Sequence, residues 1–237
     1  MGTRFEILWG GWGVGPRKEM PGVKEELRPL KAKGSYLDAV EILAQMQEAR
    51  DPYSRGHSRR VERLALLIAA EMGCSVKLLM DLAQAARAHD AGKLAVRDGI
   101  LLKEGPLNST EWASIRQHPA QSARFLRFFG APESVVSLVE GHHERYDGLG
   151  YPNGLSGEDI PLGARLLSVA DAYDALTSER PYRRKLTDER AMEVLAEGAG
   201  TQWDRKVVEA LARIPGRQVL VFQSKSPSPL QILHRPP

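Results

Sequence analysis

An all-α bundle is the fold class that this sequence predicts, and three observations predict it. Segment after segment repeats its apolar residues at helical spacing, and no alternating strand pattern runs through the central chain. Helix punctuation closes these segments: Asp51-Pro52 ends the first, Gly73 the second, and Ser75 caps the third. The chain has 237 residues, 42% of them hydrophobic, enough to bury one full core.

The elements follow in order. Residues 1–34, rich in Gly, Pro and Lys, read as an irregular arm; its glycines form no phosphate loop, since no Lys-Ser/Thr follows them. From Ser35, Leu37, Val40, Leu43 and Met46 recur at spacings of three and predict a helix over 35–50. That stripe is either a dimerisation stalk, giving a homodimer, or an intramolecular packing face. The second helix carries Val61, Leu64, Ala65 and Ile68 on one face, and the third runs on to His89-Asp90. AGKLAVRDGILLKEGPLN reads as a Gly-punctuated loop, leading to a helix capped by Ser109 or Thr110 with Glu111 just inside it. Further helices are expected at about 119–129, 132–142, 162–178, 188–197 and 204–213, with the turn-rich loop RYDGLGYPNGLSGEDIP between two of them. Residues 35–214 thus read as one helical domain, and 215–237 as a short strand (RQVLVFQ) with a loose tail.

Bulk properties exclude several classes. A net charge of +3 suits an anionic ligand but not the concentrated basic face of a duplex-binding protein, so duplex nucleic acid is not an expected partner. No apolar run of about 18 residues supports a membrane span. The start lacks the features of a secretory signal, and a cytoplasmic protein is expected. Cys74 is the single cysteine, so no intrachain disulfide can form.

The histidines carry the chemistry. Five of the six (His57, His89, His118, His142 and His143) fall in the central segment. His89-Asp90 offers an imidazole and a carboxylate at a helix end, and one carboxylate can bridge two cations. Gly92 lets the chain turn sharply there, so that Lys93 folds back over the same site. Alone, such a dipeptide usually marks a satisfied structural pair. Adjacent His142 and His143 are different: two polar rings are a poor choice for an apolar core and a good one for metal. Asp171, in the otherwise apolar segment LLSVADAYDALT, needs a cation or strong donors, and Asp174 is a candidate to support it from behind. Five imidazoles and two carboxylates suit two octahedral ions better than one tetrahedral zinc, and the absence of cysteine favours iron or manganese. Arg59 and Arg60 read as a solvated face, and Trp203, Phe125 and Phe128 as core.

At this point ARDPYSRGHSRRV, HDAGK, HPAQSA, HHERYDGLGYP, IPLGARLLSVADAYDALTSERPYR and GAGTQWD, spread over residues 48–214, resemble the HD-GYP family, a branch of the HD-domain phosphohydrolases. The resemblance implies a helical bundle of the HD-domain type with a metal pair, hydrolysing cyclic di-GMP to pGpG or on to GMP through a metal-bridging hydroxide. It implies His57, His89, Asp90 and Asp171 as ligands of one ion, and Asp90 with His118, His142 and His143 as those of the other. Lys93 corresponds to the family's phosphate-contacting lysine. Gly150, Tyr151 and Pro152 form the name-giving motif, and Arg180 and Arg183 match positions that approach substrate phosphate. A diguanylate-cyclase-type protein is an implied partner. Ala91 replaces a larger aliphatic without removing a ligand. Tyr53 stands where some members carry a third-metal glutamate, so two ions are expected. The alternatives are a different nucleotide substrate and a silent domain that binds cyclic di-GMP or a protein.

Overall fold

A computed structural model describes residues 36–51, 54–179 and 185–217, and within them every regular element is helical. The helices are α1 (Tyr36–Arg50), α2 (His57–Glu71), α3 (Val76–Ala88), α4 (Asp98–Leu101), α5 (Ser109–Ile115), α6 (His118–Phe128), α7 (Glu133–Glu140), α8 (Leu162–Thr177), α9 (Asp188–Glu197) and α10 (Arg205–Arg213). Short 3-10 turns at Ala91–Ala95 and Gly157–Asp159 interrupt the connections.

The core forms around α8, which is buried on nearly every side from Gly163 to Thr177. Its apolar residues leave no solvent face, as expected of a helix enclosed by others. α2 packs on α8 and α3 through fully buried Val61, Leu64, Ala65 and Ile68. α7 approaches α8 so closely that a Cβ on Gly163 would lie 2.6 Å from Leu138. Trp203 and Tyr173 fill the far side of the core.

Several expectations change. The apolar stripe of α1 does not hold together: Val40 and Leu43 are buried with Ala44, while Leu37 and Met46 are about half exposed. Each step of three residues falls about 60° short of a full turn, so the three steps from Leu37 to Met46 carry these two residues to opposite faces of the helix. The cap of α5 is Asn108, not Ser109 or Thr110. Its side chain accepts from the Glu111 amide, and Glu111 reaches back to the Asn108 amide in a capping box. The loop after Asp90 holds a 3-10 turn and α4. Phe125 and Phe128 are only partly buried, on the outer side of α6. Residues 1–34 and 218–237, with most of the expected strand, lie outside the described residues. No described helix is long and apolar enough to cross a membrane.

Candidate metal centre

The side chains in question come from the ends of helices and from the middle of one. His57 opens α2, His89 follows the end of α3, His118 opens α6, and His142-His143 follow the Gly141 stop of α7. Asp171 projects from the middle of α8. All seven side chains, Asp90 included, are buried to 8% exposure or less.

Ring orientation is fixed locally. The Nδ1 groups of His89, His118 and His142 face the carbonyls of Ala86, Ile115 and Val139 at 2.8, 2.8 and 2.6 Å, three residues back in each case. A carbonyl only accepts, so each Nδ1 carries the hydrogen and each Nε2 keeps its lone pair. Those Nε2 atoms converge: His118 on His142 at 3.3 Å, and His57 on His89 at 3.3 Å. His118 and His142, both bare at Nε2, repel one another tip to tip, and a cation between them would remove the conflict. Burial pushes His118 down to about 4 and His142 down to about 3, and holds His143 well below the usual range, so these three rings are neutral donors at neutral pH.

Asp90 stands between the two groups. Its Oδ2 lies 3.5 Å from His89 Nε2 and 3.7 Å from His57 Nε2, and its Oδ1 lies 3.4 Å from His118 Nε2. Burial would raise this carboxyl, but Lys93 and the surrounding imidazoles hold it far below its usual value. Lys93 Nζ donates to Asp90 Oδ2 at 2.7 Å, so the lysine does fold back over the site. Three clusters have donor atoms mutually within 4.8 Å: His57, His89 and Asp171; His118, His142 and His143; and His89, Asp90 and His142. Buried nitrogen and carboxylate oxygen donors of this kind fit divalent ions.

Behind the ring sits an ion pair that the sequence disguised. Asp174 Oδ2 accepts from His57 Nδ1 at 2.7 Å, while Arg60 grips both Asp174 oxygens at 2.6 and 3.1 Å. Arg60 is therefore no solvated residue; it is 7% exposed. In a run of polar residues such as HSRRVER, only the position one turn beyond His57 could have signalled that it faces inward. Burial would lower the His57 pKa, but Asp171 and Asp174 carry it up to about 9. A carboxylate behind a ligating histidine fixes its tautomer and strengthens its donor nitrogen.

Gly92 serves differently from expectation. Its backbone is not in the left-handed region; instead a Cβ there would lie 2.0 Å from the His118 carbonyl and 2.6 Å from the Ser122 amide. The Ser122 hydroxyl accepts from Gly92 N–H and donates to the His89 carbonyl, each at 2.7 Å. Glycine thus lets the His89-Asp90 turn lie directly on α6.

The Gly150–Pro152 loop closes one side. The Tyr151 ring lies 5.0 Å from the His143 ring, and the Arg116 guanidinium sits 5.5 Å from the Tyr151 centroid. Tyr151-Pro152 is a cis peptide, and a side chain at Gly150 would strike the His143–Arg145 backbone. Glu144, unnoticed in the sequence, anchors the loop by accepting from the amides of Asn153, Gly154 and Leu155 at 2.6–3.1 Å. The GAGTQWD segment holds the other side of the loop, through Tyr146 N–H to Gln202 and Asp147 N–H to Thr201. Arg180, Arg183 and Tyr53 lie outside the described residues.

Comparison with known proteins agrees with this geometry. The family model described as an HD domain matches residues 41–207. The 3'3'-cGAMP-specific phosphodiesterase 3 of Vibrio cholerae is 35% identical over 180 residues, covering 76% of this chain and 39% of that protein. The cyclic di-GMP phosphodiesterase response regulator RpfG of Xanthomonas campestris is 38% identical, covering 74% of this chain and 47% of its own. The chain thus spans less than half the length of these relatives. Among solved structures, Bd1817 of Bdellovibrio bacteriovorus, described as a HDG"Y"P protein, superposes with a TM-score of 0.57 at 20% identity, over 74% of this chain and 60% of that one, and shares the fold. With the family matched over most of its length, as its HD-GYP motifs anticipated, this chain belongs to the HD-domain family.

Proposed function

We propose that this protein is a metal-dependent phosphodiesterase that hydrolyses a cyclic dinucleotide, cyclic di-GMP foremost. The observation that carries the reading is the convergence of imidazole Nε2 atoms around Asp90, whose two oxygens face different groups of imidazoles. His57, His89, Asp90 and Asp171 would hold one divalent ion, and Asp90, His118, His142 and His143 a second, iron or manganese by donor chemistry. Such a pair of cations, when bound, acidifies a shared water and offsets charge on the phosphoryl oxygens.

The protein's own residues do the rest. Two ligand carboxylates against two divalent ions leave the site positive, which draws in a phosphodiester anion. Lys93 adds a cation at the edge of the site, where it would meet a phosphoryl oxygen as charge grows there. Asp174 and Arg60 keep His57 aimed, and the Ser122 hydroxyl ties the His89-Asp90 turn to α6. Tyr151, beside His143, borders the substrate side, with Gly150 and Pro152 shaping its turn; Arg180 and Arg183 would contact a phosphate, on the strength of their motif alone.

The relatives carry two substrate names, so 3'3'-cGAMP is the second candidate. The test is metal analysis of anaerobically purified protein, paired with turnover of cyclic di-GMP, 3'3'-cGAMP and cyclic di-AMP. Two ions per chain with hydrolysis of cyclic di-GMP to pGpG or GMP is the expected result. Bound metal with tight cyclic di-GMP binding and no product would instead make this a silent receptor domain.

A further inference from the structure

Against the candidate metal centre lies a cavity of about 260 Å³, lined in part by residues of that centre and in part by residues with no role above. His57, Asp90 and Lys93 form its floor, so it opens directly off the place where a scissile phosphate would sit. Its walls are of another character. Leu107, Trp112 and Ile115 among them are apolar, and Asp51, Lys103 and Glu104 are charged.

The walls are built in advance. Lys103 is held by both Glu111 oxygens at 2.7 and 2.8 Å, and Glu111 also closes the Asn108 capping box, which fixes the 103–112 segment. Arg50 reaches from α1 to Asp98 at 2.7 Å and to the carbonyls of Lys93, Leu94 and Val96, which ties down the segment that carries Lys93. A preformed wall costs less ordering on binding than one assembled around the ligand. A phosphate held by cations and Lys93 has no use for Trp112 or Ile115. The part of a nucleotide that does is the base, which aromatic and apolar side chains hold by its faces.

We propose that this cavity receives one nucleobase of the cyclic dinucleotide, with Trp112 and Ile115 as its apolar wall and Glu104 as the group that selects guanine. The proposal rests on the phosphodiesterase reading and adds a specificity site to it. Glu104 is exposed and has no side-chain partner among the described residues. Its carboxylate only accepts hydrogen bonds, which matches the N1–H and N2–H donors on the edge of guanine. Adenine presents a bare N1 at that edge with only its N6 amino group to donate, so it can make one bond where guanine makes two. A site that hydrogen-bonds one base more fully than the other discriminates more strongly than an apolar pocket alone.

The test compares wild type, Trp112→Ala and Glu104→Gln in the metal-loaded protein. Calorimetric binding of cyclic di-GMP and cyclic di-AMP is the first readout, and turnover of bis(4-nitrophenyl) phosphate, which carries no nucleobase, is the second. Trp112→Ala is expected to weaken cyclic di-GMP binding about tenfold, the scale of one lost base-stacking contact. The small ester's rate should change far less than the dinucleotide's. Glu104→Gln should narrow the preference for cyclic di-GMP over cyclic di-AMP several-fold. Unaltered binding and preference in both variants overturns the proposal, as does a matching loss on the small ester, which would place the damage in the metal centre. If wild type cleaves the ester but binds no cyclic dinucleotide, the base site is refuted and the hydrolytic centre stands. If it neither cleaves nor binds, both readings fall.

Discussion

Gly92→Ala tests how closely the centre depends on one missing side chain. The added Cβ would lie 2.0 Å from the His118 carbonyl oxygen, and real Cβ atoms stay beyond about 3.0 Å, so the two backbones must separate by roughly 1 Å. Neither partner can swing aside, because both are main chain. Overpacking of this kind costs about 1–3 kcal/mol. Displacing the turn also strains the bond from Gly92 N–H to the buried Ser122 hydroxyl, worth about 1 kcal/mol more. A total of about 2–4 kcal/mol corresponds to a fall in melting temperature of roughly 5–15 °C for a chain of this size. The shift also moves Asp90 relative to His118, now 3.4 Å apart, and a misplacement of about 1 Å at a reacting centre costs on the order of a hundredfold in rate. The assays are calorimetric melting, metal content and cyclic di-GMP turnover of one preparation. A Gly92→Ala protein that melts with wild type and holds its full complement of metal would show that the His89-Asp90 turn does not rest on α6, and that Gly92 sets no spacing between them.

Four further outcomes are expected. Lys93→Ala should keep its metal and lose about 10²–10³ in kcat, and an equal loss of metal would assign Lys93 to holding Asp90 instead. Metal titration of the metal-free protein at pH 7.5 should release about two protons per chain, one from the shared water and one from His57 (about 9), which still carries its proton there while His118 (about 4) and His142 (about 3) have lost theirs; calorimetry in buffers of different ionisation enthalpy reads the number. Asp174→Asn should reduce that release, since it removes one of the two carboxylates that raise His57, and should destabilise the fold by about 3–5 kcal/mol by stranding buried Arg60. Glu144→Ala should raise KM more than it lowers kcat, since it frees the amides of Asn153, Gly154 and Leu155 without removing any of the five imidazoles; an effect on metal content alone would contradict this.

Much of the fold and the site was legible in the sequence because the chemistry was local. Helical spacing placed α2 and α8 within a residue or two of their ends, and the HD and HH dipeptides announced donors that an apolar core would not tolerate. What escaped depends on tertiary partners. Arg60 is one of several arginines in α2, and only the position of Asp174 across the bundle makes it an interior group. Gly92 looked like a turn residue, because the nearness of α6 leaves no trace in neighbouring residues. In α1, apolar content suggested a stripe that the helical angle does not allow, and burial followed the angle. Glu144 resembled one more charge in a polar loop until the loop folded back onto it.

The three imidazoles wired to carbonyls three residues back have a consequence for the metal-free protein. Their aim is set by their own helix ends, so emptying the centre leaves the rings pointing inward, with like-signed lone pairs confronting one another in the middle of the molecule. A cation bound at that centre would relieve their repulsion. Chelation would then act on the cohesion of the whole bundle, and the supply of metal would set how much of this protein stays folded, quite apart from how much of it turns over substrate.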